Sequence, residues 1–267
     1  MTGRPVPRAE RLLAPNPGPM TLDGTNTWLL AEPGARRAVV VDPGPDDERH
    51  LDAILAAADV RGVAIGLVLL THGHPDHSGA APALAARTGA PVLANDPAYR
   101  VGGDGLAAGD RVTLDGLELE IFATPGHTAD SVCLLLGADR ALLTGDTVLG
   151  RGWSVVAHPD GRLADYLESL HRLRTICAER AATLLPGHGP VRTDAVAVLD
   201  AYLAHRTERL AQVRSALEAG ATDAAEVVRR VYADVDPALW PAAGQSVRAQ
   251  LEYLQQHVGG LSDGPVG

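Results

Sequence analysis

"THGHPDHSG" (Thr71–Gly79) places three histidines and one aspartate within the six positions from His72 to His77, with a proline among them. A cluster this dense is a metal site, a pH-sensitive element or a solvated loop, and its surroundings decide which. It follows "AIGLVLL", a continuous apolar run that reads as a strand buried on both faces. Beyond a strand, alternate side chains share a side, so His72 and His74 can converge on one point. On a helix the same pair would diverge, because helical ligand pairs need spacings of three or four. Pro75 biases His74 away from helical backbone. Asp76 and His77 then open the next helix and aim at a second point nearby. The segment is shaped for two adjacent centres.

One zinc normally takes about four ligands, so this segment needs partners. Three more stretches supply them: "TPGHT" with His127, "LLTGDT" with Asp146 and "LLPGHGP" with His188. Each follows an apolar strand pattern and contains a glycine, which lets the backbone turn sharply and present a side chain at the strand end. Five of the ten histidines thus occupy one kind of position. The other five (His50, His158, His171, His205 and His257) fall outside it and read as solvated or packing residues. Asp42 ends the strand pattern "VVVDPG", where it either shapes the turn or orients a ligand. Thr128 and Ser131 are expected to bond the backbone around the His127 turn.

The bulk composition narrows the chemistry. All 23 basic residues are arginine and the chain has no lysine, which excludes a Schiff-base lysine, a lysine general base and a Walker lysine. A net charge of −10 disfavours broad nucleic-acid binding. Aromatics are only 3%, so Ala, Leu and Val must fill the core. Cys133 and Cys177 sit in apolar contexts and read as small buried hydrophobes, not a disulfide. No run has the length of a membrane span, and "MTGRPVPRAERLL" lacks the apolar stretch of a signal peptide, so the expected home is the cytoplasm and no membrane partner is expected.

Glycine and proline punctuate short apolar runs over roughly the first 190 residues. "TNTWLLAE", "ARRAVVVDPG", "AIGLVLLTH", "APVLAND", "SVCLLLG", "RALLTGDTVLG" and "ATLLPGHG" read as strands, with a hairpin in "RVTLDGLELEIFATPGH" about Asp115-Gly116. Helical spacing marks "DDERHLDAILAAADV", "SGAAPALAARTG" closed by Gly89, and "RLADYLESLHRLRTICA". The mixture predicts an α/β layered architecture. From about residue 195 the pattern becomes wholly helical: one long helix, then two more separated by Pro237 and Pro241. Two domains are expected, 1–195 and 196–267.

Taken together, the His-x-His-x-Asp-His segment and the separate His, Asp and His turns that follow in order resemble the metallo-β-lactamase-fold hydrolase superfamily, over residues 21 to 190. The resemblance implies a four-layer αββα sandwich of two mixed sheets with outer helices. It implies that His72, His74 and His127 hold one metal, that Asp76, His77 and His188 hold the other, and that Asp146 bridges them. Asp42 matches an orienting aspartate of that family. Two zinc ions would be the cofactors, with iron and manganese admitted by the same ligands. Such a pair holds a bridging hydroxide that attacks an electrophilic carbonyl or phosphorus, and Asp76 is the candidate proton shuttle. Trp153 and His158, in the stretch after the Asp146 turn, are candidates to line the substrate pocket.

Residues 147–187 are too short for the large domain that some nucleases of this superfamily insert there. Glyoxalase-II-type thioesterases grip glutathione through basic residues that include lysines, which this chain lacks. "NPGPMTLDGTNTWLL" at the front and "GHGPV" followed by "YLAHRTERLAQV" are similar to the lactamase-like endoribonucleases with a winged-helix-like tail. The first expected substrate is therefore single-stranded RNA; the second is a small-molecule thioester or lactone. A winged-helix binding protein with an incidental hydrolase domain is a third reading, and the tail composition weighs against it. Residues 196–267 hold six Arg against nine Asp plus Glu, whereas a DNA reader shows a basic stripe. Packing against the hydrolase domain or a second subunit of a homo-oligomer is the role expected of the tail.

Overall fold

The computed structural model describes residues 3–258, so the last nine residues of the expected tail domain lie outside the described residues. One sheet has six strands in sequence order: β1 (Gly3–Val6), β2 (Ala9–Leu13), β3 (Asn26–Leu30), β4 (Arg37–Val41), β5 (Ala64–Leu69) and β6 (Val92–Leu93). The other follows the hairpin strands β7 (Arg111–Leu114) and β8 (Leu117–Ala123) with β9 (Val132–Leu136), β10 (Ala141–Gly145) and β11 (Thr183–Pro186), in the order β11-β10-β9-β8-β7. Both sheets are mixed. Parallel pairs β4–β5, β5–β6 and β10–β11 need crossovers. Helix α1 (Glu48–Arg61) makes the first, α2 (Pro75–Ser78) with α3 (Ala81–Thr88) the second, and α4 (Leu163–Arg180) the third.

Strand alternation builds the layers. In β9 every residue is buried. Val132, Leu134 and Leu136 point between the sheets, onto Trp28, Val39 and Leu69 of the first sheet. Cys133 and Leu135 point the other way, onto Leu170, Leu173 and Cys177 of α4. The outer face of the first sheet packs Val40 and Val68 against Leu51 and Ile54 of α1 and Leu84 of α3. The result is the expected helix–sheet–sheet–helix sandwich. Truncating Leu134 to alanine in such a core would cost about 2–5 kcal/mol. Both cysteines are buried and free, and burial raises their thiols to about 11 and about 12.

Local signals set the boundaries. Asp47 caps α1 by accepting from the His50 amide at 3.1 Å. Gly89 closes α3 in the left-handed conformation, φ 71°. Strands β1 and β2 have no counterpart in the sequence reading. Exposed β1 is an edge strand, where Pro5 can stand because its nitrogen need not donate.

The tail consists of α5 (Ala195–Glu218), α6 (Ala224–Val231) and α7 (Trp240–Val258). Pro241 does not precede α7 but lies in its first turn, where no amide donor is required. The first half of α5, with Val198, Leu199 and Tyr202, joins α4 in the outer layer of the sandwich. Its second half, with Val213 and Ala216, packs on Val227 and Val228 of α6 and Val247 of α7. One helix therefore belongs to both cores. Among the described residues no helix is long and apolar enough to cross a membrane.

Candidate metal centre

Strand direction gathers the candidate residues. β4 runs parallel to β5, β11 runs parallel to β10, and β8 and β10 both oppose β9. Within each sheet the C-terminal ends therefore lie on one edge, the usual place for a site in sheets with parallel strands. Asp42 leaves β4, the segment from Thr71 to His77 leaves β5, and His127, Asp146 and His188 leave β8, β10 and β11. Gly126 makes the His127 turn possible: its φ is +139°, and a Cβ there would lie 2.3 Å from Cα of Tyr166.

The seven residues converge in three overlapping sets. In the first, His74 Nδ1 lies 3.0 Å from His72 Nε2 and 3.1 Å from His127 Nε2. In the second, His188 Nε2 lies 3.1 Å from Asp76 Oδ2 and 3.2 Å from His77 Nε2. Asp146 stands between them, with Oδ1 3.4 Å from His77 Nε2, and Oδ2 3.3 Å from His188 Nε2 and 3.9 Å from His127 Nε2. Asp146 groups with His72 and His77 in the third set.

The outward ring nitrogens determine what faces inward. His127 Nδ1 donates to Val155 O at 2.7 Å and His188 Nδ1 to Gly24 O at 3.2 Å. His77 Nδ1 faces Asp42 Oδ2 at 2.8 Å. Thr71 spends its only hydroxyl hydrogen on Asp42 Oδ2 at 2.7 Å, so it accepts from His72 Nδ1 at 3.1 Å. In the neutral rings this leaves four Nε2 lone pairs pointing inward. Asp42 also accepts the Thr71 amide at 2.8 Å, and its backbone lies in the left-handed region, φ +51°. Its side chain is thus tied to the histidine segment, not to its own Pro-Gly turn.

The electrostatics favour a cation. Burial presses the Asp146 carboxyl up, but His188 and His77 outweigh this and hold it well below the usual carboxylate range. Burial likewise presses down on His77, and Asp146 and Asp42 outweigh it to hold that ring well above the usual imidazole range. His188 is raised to about 9 in the same way, by Asp146 and Asp76 against burial. His127, where burial dominates, falls to about 4. The buried Asp146 Oδ1 accepts no hydrogen bond among the described residues. Imidazole and carboxylate are the donor types a divalent metal such as zinc takes. Tetrahedral ligand bonds of about 2.0–2.1 Å set neighbouring donor atoms about 3.3 Å apart, which the separations above match. The cluster fits a divalent metal.

A cavity of about 280 Å³ opens onto His127 and Asp146 and runs to the tail helices. Trp153 lines it, 45% exposed and stacked on His205 with ring centroids 3.9 Å apart and planes 2° apart. His158 is not in the lining. Its Nε2 lies 3.4 Å from Glu252 of α7, because the chain turns away after Val156 is buried against the helices. His205, expected from sequence to be a solvated or packing residue, packs in the cavity wall. Sequence reading missed Arg206, which shares that wall, and Asn26, whose amide donates to Pro186 O and Gly189 O at 2.9 Å and fixes the His188 loop. A polar residue at the start of a strand that ends in an apolar run was the available signal for Asn26. Ser131 Oγ accepts the Thr128 amide at 3.3 Å beside His127.

Known proteins carry the same plan. Residues 20–188 match the metallo-beta-lactamase superfamily and residues 224–257 the beta-lactamase associated winged helix domain. The beta-lactamase-like protein 2 homolog of Caenorhabditis elegans is 34% identical over 91% of this chain and 83% of its own length. The fold also matches a metallo-beta-lactamase family protein from Thermus thermophilus, with TM-score 0.80, 23% identity and coverage of 95% of each chain. TTHA1623 in a di-iron-bound form matches with TM-score 0.55 and 25% identity over 74% of this chain and 97% of its own. The family match spans the histidine segment, and the chain belongs to the metallo-beta-lactamase superfamily, as a metal-dependent hydrolase with a C-terminal winged-helix domain.

Proposed function

We propose that the chain binds two divalent cations, zinc first among them, and hydrolyses an ester, thioester or lactone of a small molecule. His72, His74 and His127 would hold one cation, Asp76, His77 and His188 the other, and Asp146 would touch both. The di-iron form of TTHA1623 supports the number of metals and keeps iron as the alternative. When bound, such a pair supplies an activated water and positive charge for a developing oxyanion. Asp42 and Thr71 hold His77 and His72 in the orientation that ligation needs. Asp76 is the most accessible of the paired site carboxylates, its side chain 26% exposed against 13% for Asp146. It is therefore the residue placed to carry a proton to the leaving group.

The observation that carries the substrate class is the cavity. It is walled largely by Leu22, Leu149, Val155, Val235, Leu239 and alanines, and its volume of about 280 Å³ suits part of a small molecule. A polynucleotide instead needs a groove long enough to follow several successive phosphates. Single-stranded RNA, the first expectation from sequence, becomes the second reading. The exposed face of Trp153 favours it, because a base could stack there. The test is kcat/KM for a 4-nitrophenyl ester, an aryl thioester, a γ-lactone and a single-stranded oligoribonucleotide, with Asp146→Ala as the control for contaminants. Turnover of an acyl substrate by the parent protein alone is expected. Preference for the oligonucleotide would reverse the order.

A further inference from the structure

We propose that the wall of the cavity formed by α5 is an anion-binding subsite, and that the hydrolysed molecule carries a carboxylate at the end remote from the bond that breaks. This rests on the acyl-hydrolase reading for the word hydrolysed, but the subsite itself does not.

The charge pattern is the first observation. In a chain of net charge −10, the cavity lining holds Arg151, which pairs with Asp23 at 3.3 Å, together with Arg206 and Arg209 and a single carboxylate, Asp146, which faces the histidines. The cavity reverses the sign of the rest of the molecule.

The second observation is unmet donors. Arg206 is 2% exposed. Its Nη2 donates to Ser154 O, its guanidinium lies 4.7 Å from the ring centroid of Tyr166, and its Nε has no acceptor among the described residues. Arg209 donates to Gln212 Oε1 at 2.8 Å, Val231 O at 2.9 Å and His205 Nε2 at 3.3 Å. Among the described residues every acceptor of these two arginines is neutral. A buried guanidinium without a counter-charge is costly, and an arriving carboxylate removes that cost. His205 adds an unpaired donor behind the wall. Because Arg209 has only hydrogens to offer, His205 Nε2 must accept, so the neutral ring carries its proton on Nδ1. That nitrogen is buried and without an acceptor.

The third observation is position. Ser154, whose carbonyl holds Arg206, donates its hydroxyl to Asp146 O. One residue therefore links the cationic wall to the metal centre, and a molecule of cavity length spans both.

The experiment measures calorimetric binding of 4-phenylbutyrate and of its uncharged amide to the zinc-loaded protein, alongside hydrolysis of 4-nitrophenyl hydrogen glutarate and 4-nitrophenyl butyrate. The parent should favour the charged member of each pair by about tenfold or more. Arg206→Met should bring both ratios near one, while Arg206→Lys and added salt should leave intermediate ratios. If Arg206→Met does not fold, Arg209→Gln must still reduce the preference. A carboxylate preference unchanged in the soluble arginine variants would place the anion on the metals and overturn the subsite. Carboxylate-selective binding without hydrolysis of any ester would retain the subsite and remove the acyl-hydrolase reading.

Discussion

His77 and Asp42 form a buried pair across two strand ends, ring Nδ1 to Oδ2 at 2.8 Å, with side chains 0% and 2% exposed. When a cation displaces the inner proton, the carboxylate keeps the proton on the outer nitrogen and the inner one presents its lone pair. Asp42→Asn would keep the shape and an acceptor for the Thr71 amide. It would set an amide donor or a weaker acceptor against His77. Metal affinity should fall about 10- to 100-fold, read by competition with a chelator. An unchanged affinity would remove Asp42 from the account.

Gly187 lies so close to the site that a Cβ would sit 2.5 Å from Asp146 Oδ1 and 2.6 Å from His77 Cε1. Gly187→Ala should therefore move a carboxylate and an imidazole together. Hydrolysis should drop by about 100-fold or more, since displacements near 1 Å cost that much. Far-ultraviolet circular dichroism should be unchanged. A fully active variant would mean that the centre is more plastic than its packing.

His50 is buried at 2% exposure beside Thr27 Oγ1, 2.8 Å from its Nε2, and burial lowers its pKa to about 4. In the unfolded chain it titrates near 6.5. Between these values the unfolded state binds the extra proton, so stability is full above pH 6.5 and falls as the solution is acidified toward pH 4. The loss from this residue should be about 2 kcal/mol at pH 5. His50→Gln cannot titrate, so its urea midpoint should decline less between pH 7.5 and pH 5 than that of the parent. Equal declines would show that His50 is solvated.

The tail is structural as well as a cavity wall. Deleting residues 200–267 removes Tyr202, whose hydroxyl holds the Leu149 amide at 2.9 Å, and uncovers Leu170 and Leu173. The truncated chain should aggregate on expression. A monomeric and fully active truncation would contradict this.

Much of this site could be read from residues in order, because strand-end position and ligand type are both local. His72, His74, Asp76 and His77 announce their geometry through the apolar run before them and the proline among them. His127, Asp146 and His188 do so through a glycine beside each. What was hidden depends on distant packing. His205 and Arg206 sit on a helix whose periodicity speaks only of which face is buried, and the meeting of α5 with Trp153 is written nowhere in either segment. His158 misled by nearness in sequence: five residues from Trp153, it pairs with Glu252 instead. Strands β1 and β2 escaped because Pro5 and the charged residues of "AERLL" suit an exposed edge strand and its half-buried neighbour as well as they suit a loop.

The central claim is a two-metal centre joined by Asp146. Elemental analysis of protein purified without chelator, and again after zinc addition and desalting, tests it most directly. The parent should approach two equivalents per chain, and Asp146→Ala should lose metal and all hydrolysis while keeping its thermal unfolding transition. A parent protein that takes up no metal, or an Asp146→Ala variant that keeps two equivalents and its activity, would contradict the account.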